Sequence, residues 1–163
     1  MSSREPDLEA CPWMKTALGE WGISDVAAYK KRIQAYLRSV DDPLADPVTG
    51  LTTKWCAAFV QWCLERNRIR GQRSEHARDW LKWGVPLAHP EWGCVTILWR
   101  LQRHGDEGHV AFFTGFWGDQ VGVLGGNQRG GHASWPGQVC FGTWPRDHVL
   151  GYRWPWIEAE QTL

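Results

Sequence analysis

At Trp92 the hydrophobic pattern of this chain changes period, and that change limits the possible fold more than any other feature. Before it, apolar residues recur every three to four positions, the spacing of one helix face. Pro12 to about Glu20 places Trp13, Ala17, Leu18 and Trp21 on one side, with Pro12 suited to a first turn and Gly22 to a stop. Ser24 is placed to cap a longer helix carrying Val26, Tyr29, Ile33, Tyr36, Leu37 and Val40, halted by Asp41-Asp42-Pro43, with a loop expected through Gly50. Thr52 or Thr53 can cap a third helix, from about Trp55 to Glu65, and a short fourth begins near Ser74. After Trp92, short apolar runs bounded by Gly and polar residues read as strands: Val95–Trp99, Gly108–Thr114, Gln120–Leu124, Gln138–Thr143 and Val149–Arg153, with Gly125–Gly131 as a turn. Helices followed by antiparallel strands predict an α+β domain.

With 163 residues the chain suits one core, so residues 12–156 are expected to form the domain, with tails at 1–11 and 157–163. Eighteen basic residues balance eighteen acidic ones, with no long run of either sign, which argues against nucleic acid or an anionic membrane as partner. The polar start, Met1 to Asp7, has no apolar signal core, so synthesis in the cytoplasm is expected. The five cysteines show no close C-x-x-C spacing, and neither a metal nor a cofactor is expected. Nothing demands more than a monomer.

The chemistry centres on Cys56 and His109. Cys56, Phe59, Val60, Cys63 and Leu64 form one stripe, and Cys56 opens it in the first turn, where unpaired N–H groups favour an anion. His109 stands at the mouth of the Gly108–Thr114 strand. A thiol at a helix start, paired with an imidazole, suits acyl transfer from an amide, with the Cys56 backbone N–H as oxyanion donor. Asn127 is the expected third member, orienting the imidazole. Each residue alone has a plainer account: Cys56 a buried thiol, His109 a strand-end histidine, Asn127 the left-handed residue of a Gly-rich turn. Their order and context favour the catalytic reading. His104 is the competing base. A thiolate–imidazolium pair would keep alkylation of Cys56 fast well below the ~8.5 of a free thiol. Of the thirteen tryptophans most suit a core, but Trp117, Trp135 and Trp144 sit beside Gly, Pro and polar residues, where a groove is as reasonable.

Trp55-Cys56-Ala57-Ala58-Phe59-Val60, Ala77-Arg78-x-Trp80-Leu81-x-Trp83-Gly84, Gly108-His109-Val110, Leu124-Gly125-Gly126-Asn127-Gln128 and Val149-Leu150-Gly151-Tyr152-Arg153 together resemble the CHAP family, the cysteine, histidine-dependent amidohydrolase/peptidases of the NlpC-like papain-type clan. The resemblance runs from about Pro12 to Pro155. It implies a papain-like domain with N-terminal helices packed on an antiparallel sheet. It also implies hydrolysis of peptidoglycan, at the muramoyl–alanine amide or within the stem or cross-bridge. Cys56 maps to the nucleophile, His109 to the base and Asn127 to the orienting residue, while Trp55, Trp117, Gln128 and Trp135 are the expected substrate contacts. Many relatives carry an acidic residue two positions before the asparagine, where this chain has Gly125. A wall hydrolase made without a signal would reach its substrate through a phage holin or by injection into a rival, and an injected toxin would have an immunity protein as partner. Two other functions stand beside this one: a wall-binding module without catalysis, and an acyltransferase using the same cysteine.

Overall fold

The computed structural model describes residues 6–40, 54–132 and 134–156. Three α-helices lead the chain: α1 (Pro12–Gly19), α2 (Lys30–Leu37) and α3 (Cys56–Glu65). Six strands follow: β1 (Val85–Leu87), β2 (Val95–Trp99), β3 (Gly108–Trp117), β4 (Gln120–Gln128), β5 (Gln138–Pro145) and β6 (Val149–Trp154). They form one antiparallel sheet in the order β1-β6-β2-β3-β4-β5. The α+β expectation therefore holds. The expected loop through Gly50 and the Thr52 or Thr53 cap lie outside the described residues.

Alternation along the strands divides the core in two. Val110 and Phe112 of β3, with Leu124 of β4, pack against the helices in the larger cluster. Ala111 and Phe113, with Val121 and Val123, join Cys94 and Leu98 on the other face of the sheet. The helix α3 lies at the centre of the larger cluster, and every residue from Cys56 to Leu64 is buried. An apolar stripe was expected there; instead the helix is enclosed on all sides, as its run of Ala, Phe, Val, Trp, Cys and Leu permits. Its one polar member in that span, Gln61, is satisfied by donating to Glu65 Oε1 (2.8 Å) and accepting from the Arg73 N–H (2.7 Å).

Two expected elements differ. Ser24 does not cap a helix: it bridges Gln138, and residues 22–25 hydrogen-bond to the start of β5 and the residue before it, through Gly22 N–H to Val139 O (2.9 Å), Val139 N–H to Ile23 O (2.7 Å) and Asp25 N–H to Gly137 O (2.9 Å). The helical path then begins with a 3-10 turn at Ala27–Tyr29 that leads into α2. The fourth helix is likewise a 3-10 segment, Ala77–Lys82. From it Arg78 donates to the carbonyls of Gln102, Arg103 and Glu107, which ties down the loop that delivers β3.

Candidate active site

Cys56 is the first residue of α3, and no side chain caps that helix start. The first-turn N–H groups are thus left to the thiol. Burial pushes the Cys56 thiol above its ordinary pKa, while the backbone N–H groups of Val110, Ala57 and Cys56 itself, and the Arg100 charge, pull the other way. Contact with the Val110 N–H brings the sulfur against β3 one residue beyond His109.

His109 lies on β3 opposite Leu98 of β2 and is buried. Alternation puts its side chain with Ala111 on the face away from α3. There its Nε2 meets Gln128 Oε1 at 2.9 Å, and the ring stacks on Trp144 with centroids 5.1 Å apart and planes 19° from parallel. The amide of Gln128 is itself fixed, because its Nε2 donates to Cys140 O at 2.6 Å and leans toward Gly125 O at 3.4 Å. Oε1 must therefore face the ring as acceptor, so His109 carries its proton on Nε2 and leaves Nδ1 as the basic atom. Burial, with Arg100 adding to it, lowers the imidazole from 6.5 to about 4, and the Gln128 hydrogen bond opposes that fall. Among the described residues no hydrogen bond joins the Cys56 thiol to the ring; the two side chains reach the start of β3 from its two faces. Thiol up and imidazole down is the electrostatics of a neutral pair at neutral pH, not of the expected thiolate–imidazolium pair.

Asn127 was expected beside the ring, and Gln128 stands there instead. The cause is local. The β4–β5 register shifts between Gly125 and Gln128, and Asn127 adopts φ +56°, a left-handed conformation that asparagine tolerates better than most residues. Strict alternation from Val123 would have turned residue 127 toward His109; the bulge substitutes residue 128. The Asn127 side chain packs instead over Gly137, where any Cβ would collide with it, and Asp25 lies on the same spot. The segment expected as a turn from Gly125 is accordingly strand as far as Gln128.

The other expected contacts divide. Trp55 is fully buried, its Nε1 donating to Asp25 Oδ1 at 2.7 Å, so it presents no surface to a substrate and instead fixes the residue before Cys56. Trp117 and Gln128 line a cleft of about 780 Å³ together with Met14, Trp92, Phe141 and Trp144. Trp135 is half exposed and stacks on His132. His104 is exposed on the β2–β3 loop, without the enclosure that surrounds His109. Two contributors escaped the sequence reading: Asp25, whose spacing from Trp55 carries no signal, and the specific placement of Trp144 against the imidazole.

No family model matches the sequence, and no curated protein matches it. Among solved structures, one similar to this chain is a lipoprotein-like protein of the NLP/P60 family from Staphylococcus aureus subsp. aureus Mu50. The TM-score is 0.46 at 17% identity, over 94% of this chain and 44% of that one, so the chain spans under half of that protein's length.

Proposed function

We propose that this chain is a papain-like cysteine amidohydrolase that cuts an amide bond of peptidoglycan. The observation that carries the reading is the junction of α3 and β3: a thiol at an uncapped helix start bonds the strand beside a histidine whose tautomer Gln128 fixes. Peptidoglycan as substrate rests on the motif resemblance, from Trp55-Cys56-Ala57-Ala58 to Gly125-Gly126-Asn127-Gln128.

Each protein group has a role in that chemistry. Nδ1 of His109 takes the thiol proton as substrate draws sulfur and ring together; catalytic hydrogen bonds often tighten only in the substrate complex. The sulfur attacks the carbonyl carbon, and the oxyanion that forms meets the Cys56 backbone N–H at the helix start. The imidazolium returns its proton to the departing amine. Water then attacks the thioester with His109 as base, freeing a carboxylate and the thiol. Gln128 holds Nε2–H throughout, so the ring cannot adopt the tautomer that lacks a base on Nδ1. Entry to a wall from the cytoplasm, by phage lysis or by injection with an immunity protein as antidote, belongs to this reading.

The test is digestion of purified sacculi, followed by mass spectrometry. Wild-type protein should release fragments with new amine and carboxyl ends, and Cys56→Ala should release none while keeping its fold. A fully active Cys56→Ala protein would end the proposal.

A further inference from the structure

The sulfur of Cys56 and the ring of His109 reach the start of β3 from its two faces, so an amide can meet both only at that end of the strand. Charged side chains frame it. The β2–β3 hairpin continues one pair beyond Trp99 and Gly108, where Arg100 N–H donates to Glu107 O at 3.1 Å. Glu107 stands two residues before His109, and its carboxylate accepts from Nζ of Lys54, two residues before Cys56. That ion pair ties the two reacting segments together and cancels its own charge. Arg78 commits its guanidinium to the carbonyls of Gln102, Arg103 and Glu107, and Arg103 donates to Asp147 O at 3.2 Å. Arg100 differs. Its side chain is exposed, and among the described residues its guanidinium enters no hydrogen bond or ion pair. Burial dominates both the thiol and the imidazole, but the Arg100 charge acts on each, favouring the thiolate and the neutral ring.

We infer that Arg100 is a specificity-determining residue that receives a substrate carboxylate flanking the scissile amide. A planar guanidinium presents paired N–H groups that match the two oxygens of a carboxylate, whereas an ammonium offers only a point charge. With Lys54 bound to Glu107 and Arg78 held by carbonyls, Arg100 is the cation at this end of β3 whose donors stay open to a ligand. One open guanidinium suits a carboxylate; a phosphate dianion would call for more. The inference rests on the amidohydrolase reading and deepens it. Amino acids joined by amides carry carboxylates, and seating one at Arg100 brings the neighbouring amide to the sulfur.

Two measurements on the full chain test this, and the first needs no hydrolysis. Iodoacetate and iodoacetamide are nearly equal in size, and with each the Cys56 sulfur displaces iodide, but only iodoacetate carries a carboxylate. Their rate ratio at Cys56, read by mass spectrometry of the alkylated peptide at about pH 8.5, is compared with their ratio at glutathione. Wild-type protein should favour iodoacetate about fivefold or more over that reference, and less so at high salt. Arg100→Gln should abolish the preference and Arg100→Lys should restore part of it; circular dichroism checks that both variants fold. The ratio isolates anion recognition, because a change in the thiol's own ionisation alters both rates alike. A wild-type ratio no higher than glutathione's, or one indifferent to Arg100→Gln, would overturn the carboxylate site. In the second, sacculi are digested before and after carbodiimide and ammonia convert their carboxylates to amides. At limiting substrate, wild-type protein should act about fivefold or more slowly on the amidated wall, and Arg100→Gln should treat both walls alike. Equal wild-type rates would overturn the role in substrate selection. Release of no fragment from either wall would end the hydrolase reading and the selection role with it, while the ratio at Cys56 still decides the carboxylate site.

Discussion

Enclosure of His109 should make the protein acid-sensitive in a way that one substitution removes. The imidazole stays neutral in the folded state down to about pH 4 but takes a proton at 6.5 when the chain unfolds. A depressed folded pKa gives stability that is present above the unfolded value and lost as pH falls toward the folded one. The full gap corresponds to about 3 kcal/mol, at about 1.4 kcal/mol per pH unit. From about pH 7 to about pH 5 this single ring should therefore withdraw about 2 kcal/mol, since most unfolded molecules bind the proton in that interval and few folded ones do. The assay is urea unfolding followed by tryptophan fluorescence at each pH, in wild-type protein and in His109→Gln. Glutamine does not titrate and still offers an N–H to Gln128. The variant should start less stable yet lose less on acidification, shifting its urea midpoint by about 1 M less than wild type over the same interval. Parallel pH curves for the two proteins would refute the reasoning, as would a His109 ring resonance titrating near 6.5.

Other expectations follow from the same site. Gln128→Leu strips partners from the His109 N–H and from Cys140 O, both in buried surroundings, and should cost about 1–3 kcal/mol in thermal or urea unfolding while lowering turnover of peptidoglycan. Asn127→Ala should leave the ring's NMR titration unchanged, because Asn127 packs over Gly137. Alkylation of Cys56 by iodoacetamide should be slow at neutral pH and climb only in alkali, since burial holds the thiol up; fast reaction near pH 6 would point to an ion pair. Folding stability should also decline in alkali, where the unfolded thiol ionises and the folded one does not. Gly126→Val should destabilise by about 1–3 kcal/mol through overpacking, as even its Cβ would meet the Trp55 ring at 2.6 Å and Phe59 Cβ at 2.8 Å. Differential scanning calorimetry would measure it.

How much of this was legible in the sequence depends on what each feature rests on. Period and punctuation located α1, α3 and the strands from β2 to β6, because burial of one side of an element writes itself into spacing. The start of α3 at Cys56 and the position of His109 on a strand were legible for the same reason. What could not be read were events of one residue. The left-handed φ of Asn127 turns Gln128 toward the imidazole, and Asn127 alone gives no sign of which neighbour benefits. Ser24 has the chemistry of a cap, but residues 22–25 find partners on β5, more than a hundred residues away. Trp55 looks like a recognition residue by composition, yet its indole is held inward by Asp25. The three-residue β1 is too short for any period to show.

The pairing of residues 22–25 with β5 has a consequence for how these molecules behave together. An antiparallel sheet ends in two strands whose outer N–H and C=O groups invite a neighbour's chain. Here one margin, β1, is only three residues long and contains Pro86. The other, β5, is occupied at its beginning by the Gly22–Asp25 segment, and it terminates at Pro145, which has no N–H to donate. Among the described residues, only the middle of β5, around Phe141 to Trp144, remains open to another strand. Crowded solutions of this protein should therefore resist edge-to-edge strand pairing, and a deletion that frees the start of β5 should be the change that makes them aggregate.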